Sequence, residues 1–205
     1  MKQKLLAMLQ MQNEMNSRVH PSWRDQDYEW YRAIWIECAE LMDHYGWKWW
    51  KKQSPDREQV ILELIDIWHF GLSSLLQAEI SEDKIADRLE ATMLATQRDQ
   101  VFLDDVETFA QRILSTRQFD PLLFNRLLCH MDISLDHLYR SYVGKNVLNF
   151  FRQDRGYKEG SYKKHWQDGR EDNVHLVEIL ELLDSDSSTY RQDVYRELAN
   201  RYPAS

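Results

Sequence analysis

The sequence is poor in residues that interrupt helices. Among 205 residues there are six glycines and four prolines, whereas Leu, Glu, Asp, Arg and Trp are plentiful. Few positions therefore favour turns, and no long stretch alternates apolar and polar residues as a strand would. The composition predicts an all-α fold, a helical bundle that forms a single domain over residues 1–205.

Cysteine and positive charge are also scarce. Cys38 and Cys129 are far apart, in segments with a helical pattern, so we expect no disulfide framework and assume a reducing, cytoplasmic compartment. Thirty-four acids against 26 bases give a net charge of −8, which argues against a nucleic-acid partner because phosphate backbones attract clustered cations. An acidic protein of this kind needs metal ions to bind an anionic substrate.

Long uninterrupted hydrophobic runs are absent from the sequence. The most apolar stretch, residues 61–76, contains Glu63, Asp66 and His69, which a membrane span would not tolerate. Residues 1–16 mix apolar side chains with Lys and Gln and lack a small-residue cleavage site, which predicts a helix and not a signal peptide. We expect a soluble protein with no membrane partner.

Capping residues predict where the helices begin and end. The first predicted helix covers residues 2–16, and the second is capped by Ser22 or Asp25 and ends at about Tyr45, before Gly46. Further predicted helices cover residues 54–79, start again at Ser81 and Ser134, and finish the chain at 173–183 and 187–201. Residues 97–131 have a weaker pattern, with short helices at 101–116 and after Asp120. We expect a semi-independent, mobile helical insert in that segment.

Two pairs of acids occur on successive apolar helices. Glu37 and Glu40 form the first pair, and Glu63 and Asp66 form the second. A three-residue step places the members of each pair on one helix face. On helices this apolar, some of the carboxylates should face the core, where an uncompensated charge is costly. A divalent cation would compensate them, and Mg²⁺ prefers oxygen ligands with open positions for phosphates. Four acids can hold more than one ion.

Two other interpretations of these acids remain open. Acid pairs at this spacing are common on solvated helix faces. Asp66 and His69 also have the carboxylate-x-x-His step of di-iron bundles, but that architecture needs the step twice. His44, His130 and His137 do not repeat it on a comparable apolar helix. His69 is then a core residue or a substrate contact.

Two further segments contain candidate ligand contacts. Residues 46–52 place three of the eight tryptophans directly after the first acid pair, where an indole can stack on a nucleobase or cap the core. Residues 145–170 contain seven bases, three acids and half of the glycines. Glycine permits close backbone approach, and Lys and Arg neutralise phosphate, although no Walker A pattern is present. The alternative is a solvated basic loop.

Together these motifs resemble the dimeric dUTPases, a family within the all-α nucleoside triphosphate pyrophosphatase superfamily. The paired acids are similar to the metal motif of the superfamily. More specific to the dUTPases are Trp47-Lys-Trp-Trp-Lys, Asp66-Ile-Trp-His-Phe, and the run from Gly144 to Asn173. The resemblance covers most of the chain, is weakest over 97–131, and implies a pyrophosphatase-type helical bundle with a helical insert that forms a homodimer.

The resemblance also implies an activity and a set of site residues. It implies Mg²⁺-dependent hydrolysis of dUTP, and of dUDP, to dUMP, which limits uracil in DNA. Two or more Mg²⁺ ions would be held by Glu37, Glu40, Glu63 and Asp66, and Glu40 or Glu37 would orient or deprotonate the attacking water. The base and sugar contacts it implies are Gln12, Asn16, Trp47, Trp50, His69 and Phe70. Its sugar and phosphate contacts are Lys145, Asn149, Arg152, Tyr157, Lys164 and Asn173.

Two rival functions remain at this point. A dCTP or mixed dCTP/dUTP pyrophosphatase would need the reversal of only one hydrogen-bond donor and one acceptor at the base. A non-catalytic helical regulator that binds a nucleotide or a protein is the rival from another class, and the presence of all four acids counts against it.

Overall fold

Helices make up nearly all of the regular structure. The computed structural model describes residues 1–78, 81–95 and 101–203, and these form α-helices joined by short connections, which confirms the all-α prediction. In chain order the helices are α1 (Lys2–Val19), α2 (Trp30–Tyr45), α3 (Arg57–Gln77), α4 (Glu82–Met93), α5 (Phe102–Thr116), α6 (Pro121–His130), α7 (Leu135–Asp154), α8 (Asp172–Leu182) and α9 (Tyr190–Arg201).

Polar side chains cap several of these helices, and Ser81, Asp120 and Ser134 were predicted starts. Ser134 caps α7 by accepting the backbone N–H of His137 at 3.1 Å. Asp56, and not the predicted Ser54, caps α3 by accepting the backbone N–H of Gln59 at 3.1 Å. Ser81 caps α4 through the N–H of Lys84 at 3.4 Å. Asp120 accepts two backbone N–H groups at the start of α6. These bonds satisfy amide groups that have no partner within the helix.

The start of α2 differs from the prediction. Ser22 or Asp25 was expected to begin this helix, but a short 3-10 helix, Trp23–Gln26, occupies that position. Asp27 follows it with a left-handed backbone of φ 50°, so the chain turns and α2 begins only at Trp30. The predicted end is confirmed, because Gly46 takes the left-handed conformation with φ 82°.

The contacts divide the chain into two compact units, residues 1–139 and 140–205. In the first unit α3 is the central helix, with α2 packed along it and α1 against it. By length and composition α3 is apolar enough to cross a membrane, but 72% of its apolar 18-residue window is buried, as in the core helix of a globular protein. The predicted insert contributes α5 and α6 to the same unit, where α5 packs against α2. Residues 96–100 of that segment lie outside the described residues.

An aromatic cluster joins α3 to α5 and α6. Trp68 is fully buried and stacks on Phe124, with ring centroids 5.3 Å apart, and Phe109 and Phe119 pack around them. Gly71 lets Phe119 approach, because a Cβ at this position would lie 2.7 Å from the Phe119 ring. The packing holds α3 in one orientation and fixes the direction of its polar residues.

The second unit consists of the C-terminal part of α7, the 155–171 loop, α8 and α9. Phe151 is fully buried, and Tyr195 and Tyr202 pack against it edge-to-face. Gly144 of α7 touches Leu180 of α8 so closely that a Cβ would lie 2.6 Å from the leucine side chain. The first residues of α8 are thereby held beside α7.

Candidate functional site

Three of the four predicted metal-binding acids converge. One oxygen each from Glu37 on α2 and from Glu63 and Asp66 on α3 lie within 4.8 Å of one another. Glu63 is 8% exposed, and the other two are half-buried. Glu40 lies almost one turn beyond Glu37, is exposed, and is outside this group. The proposed role of Glu40 at the attacking water stays a prediction.

The acid group is electrostatically strained without a cation. Burial raises the pKa of Glu37 to about 9, aided by a hydrogen bond with Glu63 and by the charges of Asp66, Glu63 and Glu40. Such a carboxyl group holds a proton at neutral pH unless a cation replaces it. Three clustered carboxylates are the hard oxygen ligands that Mg²⁺ prefers, so these residues fit a divalent ion.

Histidine is not part of this acid group among the described residues. His44 Nε2 lies 3.6 Å from Glu63 Oε1 and borders the group from α2. His69 instead bonds through Nδ1 to Gln12 Oε1 at 2.8 Å. The carboxylate-x-x-His step of Asp66 and His69 is therefore divided between two clusters, unlike the arrangement of a di-iron site.

A buried polar network follows the acids along α3. Gln12 and Asn16 from α1 meet His69 and Ser73 from α3, and all four side chains are buried. Gln12 Nε2 donates to Asn16 Oδ1 at 2.9 Å and to Ser73 Oγ at 3.0 Å, and Asn16 Nδ2 donates to Ser73 Oγ at 3.0 Å. Three of these residues were predicted to contact the base or sugar. Ser73, at the centre of the network, was not.

A pair of aromatic rings lies beside this network. Phe70 follows His69 in α3 and stacks on Trp30, with centroids 6.3 Å apart and an interplanar angle of 29°. Trp23 packs on Trp30 edge-to-face and donates its indole N–H to Asn13 of α1. Sequence reasoning missed Trp30. The seven-residue step from Trp30 to Glu37, which places both on one face of α2, could have identified it.

The tryptophans of the 46–52 turn lie on the surface. Trp50 contacts Trp47 and Trp49 edge-to-face, and the exposed fractions of Trp47, Trp49 and Trp50 are 39%, 88% and 56%. They do not cap the core. A contact of Trp47 or Trp50 with the base stays a prediction.

The acids and the polar network lie on one stripe of α3. Glu63, Asp66, Phe70 and Ser73 follow steps of three, four and three residues, which place them on one helix face. Asp66 and Ser73 are separated by about 10 Å along the axis, at 1.5 Å per residue. The helix therefore presents an acidic end and an uncharged polar end to the same side.

Four predicted phosphate or sugar contacts meet in the second unit. Lys145 Nζ donates to Asn173 Oδ1 at 3.2 Å, and Arg152 donates to Asn149 Oδ1 at 3.3 Å and to Asn173 Oδ1 at 3.5 Å. Lys145 is 4% exposed, an unusual burial for a lysine. Two further predicted contacts lie on the exposed loop after α7, where Lys164 pairs with Glu171 and Tyr157 is 53% exposed.

Asp172, which sequence reasoning missed, anchors this cluster. Its two oxygens accept from Arg152 Nε at 2.8 Å and Nη2 at 2.9 Å, and Oδ2 also accepts from the Tyr162 hydroxyl at 2.8 Å. Burial alone would raise the pKa of Asp172, but the hydrogen bonds and charge of Arg152 lower it below its ordinary value. The bidentate ion pair fixes the Arg152 guanidinium in one plane.

The helices and the acid group define a helical protein whose clustered carboxylates fit a divalent cation. A family model for dUTPases matches residues 4–157, which include the acid group, the polar network and three of the four clustered contacts in the second unit. The chain therefore belongs to the all-α dUTPase family, and it is a dUTP diphosphatase, an enzyme that hydrolyses dUTP. A search of curated proteins found no match.

Proposed function

We propose that this enzyme uses Mg²⁺ to hydrolyse dUTP to dUMP and pyrophosphate, that it also hydrolyses dUDP to dUMP and phosphate, and that it thereby limits uracil in DNA. The observation that carries the proposal is the convergence of Glu37, Glu63 and Asp66 on the α3 stripe that continues to Phe70 and Ser73. A nucleotide needs both ends of such a stripe, a cation site for its phosphates and a polar and aromatic site for its base.

Glu37, Glu63 and Asp66 would hold the metal, with two or more ions in the full site. Bound Mg²⁺ supplies charge neutralisation and polarises the phosphate oxygens. A carboxylate oxygen of Glu40 accepts a proton from the water that attacks the β-phosphorus. The exposure of Glu40 leaves its oxygens open to such a water.

A group of basic and amide side chains binds the phosphates in this proposal. Lys145 and Arg152 neutralise phosphate charge, and Asn149 and Asn173 donate amide hydrogens to phosphate or sugar oxygens. The hydrogen bonds among these four side chains show that they already share one cluster. Tyr157 and Lys164 complete the set from the loop.

The polar end of the α3 stripe binds the deoxyuridine. Gln12 and Asn16 read the base edge, His69 contacts the sugar or base, and the Phe70 ring packs on the flat base together with Trp30. Packing against C2′ of the sugar would exclude ribonucleotides.

We also propose a cytoplasmic homodimer. Trp35 and Ile36 of α2 are 41% and 51% exposed, which is compatible with a protein interface on this helix. Light scattering after size exclusion measures the mass directly. A monomer at all protein concentrations would contradict the dimer.

A substrate panel tests the activity. Wild-type protein is incubated with dUTP, dUDP, dCTP, dTTP and UTP, each with Mg²⁺ or with EDTA, and the products are separated by chromatography. We expect dUMP from dUTP and dUDP, pyrophosphate only from dUTP, and no turnover with EDTA. Equal turnover of dCTP would contradict the substrate assignment, and full activity in EDTA would contradict the metal.

Replacement of Glu40 tests its role in activating water. Glu40→Gln should abolish turnover and leave the fold intact, because the amide cannot accept the proton. Asp43→Asn, three residues further along α2 and also exposed, is the matched control and should retain activity. Unchanged turnover in Glu40→Gln would remove this residue from the mechanism.

A further inference from the structure

We infer that Ser73 is a positioning residue that determines the choice between uracil and cytosine. Its hydroxyl group orients the carboxamides of Gln12 and Asn16 so that the Asn16 amide matches uracil and opposes cytosine. The inference rests on the proposed function, in which the base binds at this network.

The single hydrogen of the Ser73 hydroxyl has one preferred acceptor. Ser73 Oγ lies 3.0 Å from the backbone carbonyl of His69, four residues earlier in α3, and 3.4 Å from Asn16 Oδ1. The backbone oxygen can only accept, and this return bond to the preceding turn is common for serine in helices. Once this hydrogen is committed, Ser73 Oγ can act toward Gln12 and Asn16 only as an acceptor.

Because Ser73 Oγ can only accept from them, the orientations of the Gln12 and Asn16 carboxamides are fixed. Gln12 Nε2 and Asn16 Nδ2 each lie 3.0 Å from Ser73 Oγ, so each presents an N–H group to it. Asn16 Oδ1 is then turned toward the other hydrogen of Gln12 Nε2, at 2.9 Å. Rotation of the Asn16 amide by half a turn would place two donors, Gln12 Nε2 and Asn16 Nδ2, against each other.

The orientation of the Gln12 carboxamide also determines the tautomer of His69. Because Gln12 Nε2 faces Ser73, Gln12 Oε1 faces His69 Nδ1 at 2.8 Å. An amide oxygen only accepts, so the hydrogen must be on Nδ1 in the neutral ring. One hydroxyl therefore fixes two carboxamides and one histidine tautomer, all in a buried site where an unmatched donor is costly.

The Asn16 amide then has a defined pattern for a ligand. It has two N–H hydrogens and two carbonyl lone pairs, and the bonds above use one of each. Ser73 Oγ lies 3.0 Å from Asn16 Nδ2 and 3.4 Å from Asn16 Oδ1, so Ser73 and Gln12 occupy the edge of the amide that presents both groups. The remaining N–H hydrogen of Asn16 points away from that edge and can donate to uracil O4. Cytosine has an amino donor, N4, in place of O4, so the same N–H opposes it. Recognition of cytosine would require reversal of the whole network.

Replacement of Ser73 by alanine tests the inference through the preference of the enzyme for dUTP over dCTP. Ser73→Ala removes the common acceptor, so the amides lose the orientation that the hydroxyl imposes. We expect the ratio of kcat/KM for dUTP to kcat/KM for dCTP to fall by about tenfold or more. Measuring both substrates on one preparation cancels any loss of folded protein. Ser74→Ala, at the next position of the same helix and outside the network, should keep the wild-type ratio. A wild-type ratio in Ser73→Ala would overturn the inference.

The histidine tautomer gives a second readout that does not require activity. In wild-type protein with ¹⁵N-labelled histidine, NMR should show His69 protonated at Nδ1 and not at Nε2. Ser73→Ala should increase the Nε2–H form. A wild-type His69 with its hydrogen on Nε2 would overturn the inference. Absence of dUTP hydrolysis by the wild type would instead contradict the proposed function, and the NMR result would still decide whether Ser73 orders the network.

Discussion

Glu37 in the first unit and Asp172 in the second are acids in opposite electrostatic situations. Burial tends to raise the pKa of both. Around Glu37 the neighbouring groups are other carboxyl groups, and its pKa reaches about 9. Around Asp172 the neighbour is Arg152, whose two hydrogen bonds and charge bring the pKa below its ordinary value. The carboxylate anion is thus destabilised at Glu37 in the first unit and stabilised at Asp172 in the second.

This difference separates a ligand site from a structural ion pair. The charge of Asp172 is compensated by a side chain of the same unit, so its function is to hold Arg152. The acid group around Glu37 is best compensated by a cation from solution, which is what a metal site requires. The comparison predicts that mutations of the acid group abolish activity, whereas loss of Asp172 reduces stability.

Loss of a metal ligand should have the largest effect. Glu63→Gln removes one of the three clustered carboxylates and should lower kcat/KM by about a thousandfold, since charge stabilisation of this kind contributes on the order of 10²–10³ per group. Glu58→Gln, at an exposed position in the first turn of the same helix, is the control and should have no effect. Steady-state hydrolysis of dUTP gives both values. Wild-type activity in Glu63→Gln would remove the acid group from the mechanism.

Breaking the buried ion pair should reduce stability by about 3 kcal/mol. Asp172→Ala leaves Arg152 partly buried without its bidentate partner, and a broken buried pair costs about 3–5 kcal/mol. Urea unfolding measures the loss. The double variant Arg152→Met with Asp172→Leu should recover most of it, because an apolar pair does not need charge compensation. If Asp172→Ala and the double variant are equally unstable, charge compensation is not what Asp172 contributes.

The sequence predicted features that depend on local chemistry. The caps at Ser81 and Asp120 and the stop at Gly46 are confirmed, because capping is decided by the residues within one helical turn. The predicted start of α3 at Ser54 is two residues early, because Asp56 caps the helix. The acid spacing of α3 predicted correctly that its two carboxylates share one face. Glu40 shows the limit of that reasoning. It follows Glu37 by the same three residues that separate Glu63 from Asp66, yet Glu40 is exposed. Its exposure depends on how α2 packs, which the spacing does not specify.

Features that depend on the pairing of distant segments could not be predicted. The role of Ser73 depends on the packing of α1 against α3, which places Asn16 opposite it. Asp172 is adjacent in sequence to a predicted contact, but nothing in the sequence shows that Arg152, twenty residues earlier, points at it. Trp30 differs in part: its seven-residue step to Glu37 is visible in the sequence, but its contact with Phe70 on another helix is not.

Removal of the divalent ion should destabilise the protein without unfolding it. A ligand that binds only the folded state at a hundred times its Kd contributes about 2.7 kcal/mol. Thermal unfolding in EDTA and in saturating Mg²⁺ should therefore differ by several degrees for wild type, and not at all for Glu63→Gln. Asp172→Ala should retain the Mg²⁺ shift, because its effect is independent of the ion. Loss of the shift in Asp172→Ala would contradict the separation between a ligand site and a structural pair.

The smallest effect is expected at Asp168, an exposed acid in the same unit as Asp172. The backbone and side chain of Arg170 lower the pKa of Asp168 to about 2. A lowered pKa stabilises the folded state above the ordinary value of 3.8, and this contribution is lost as the pH falls from there toward 2. Water and salt screen an exposed pair, so Asp168→Asn should lower the urea midpoint only slightly, and less in high salt. The difference from wild type should disappear by pH 2. If the difference in urea midpoint persists at pH 2, or if it equals the loss of stability in Asp172→Ala, burial is not what distinguishes the two ion pairs.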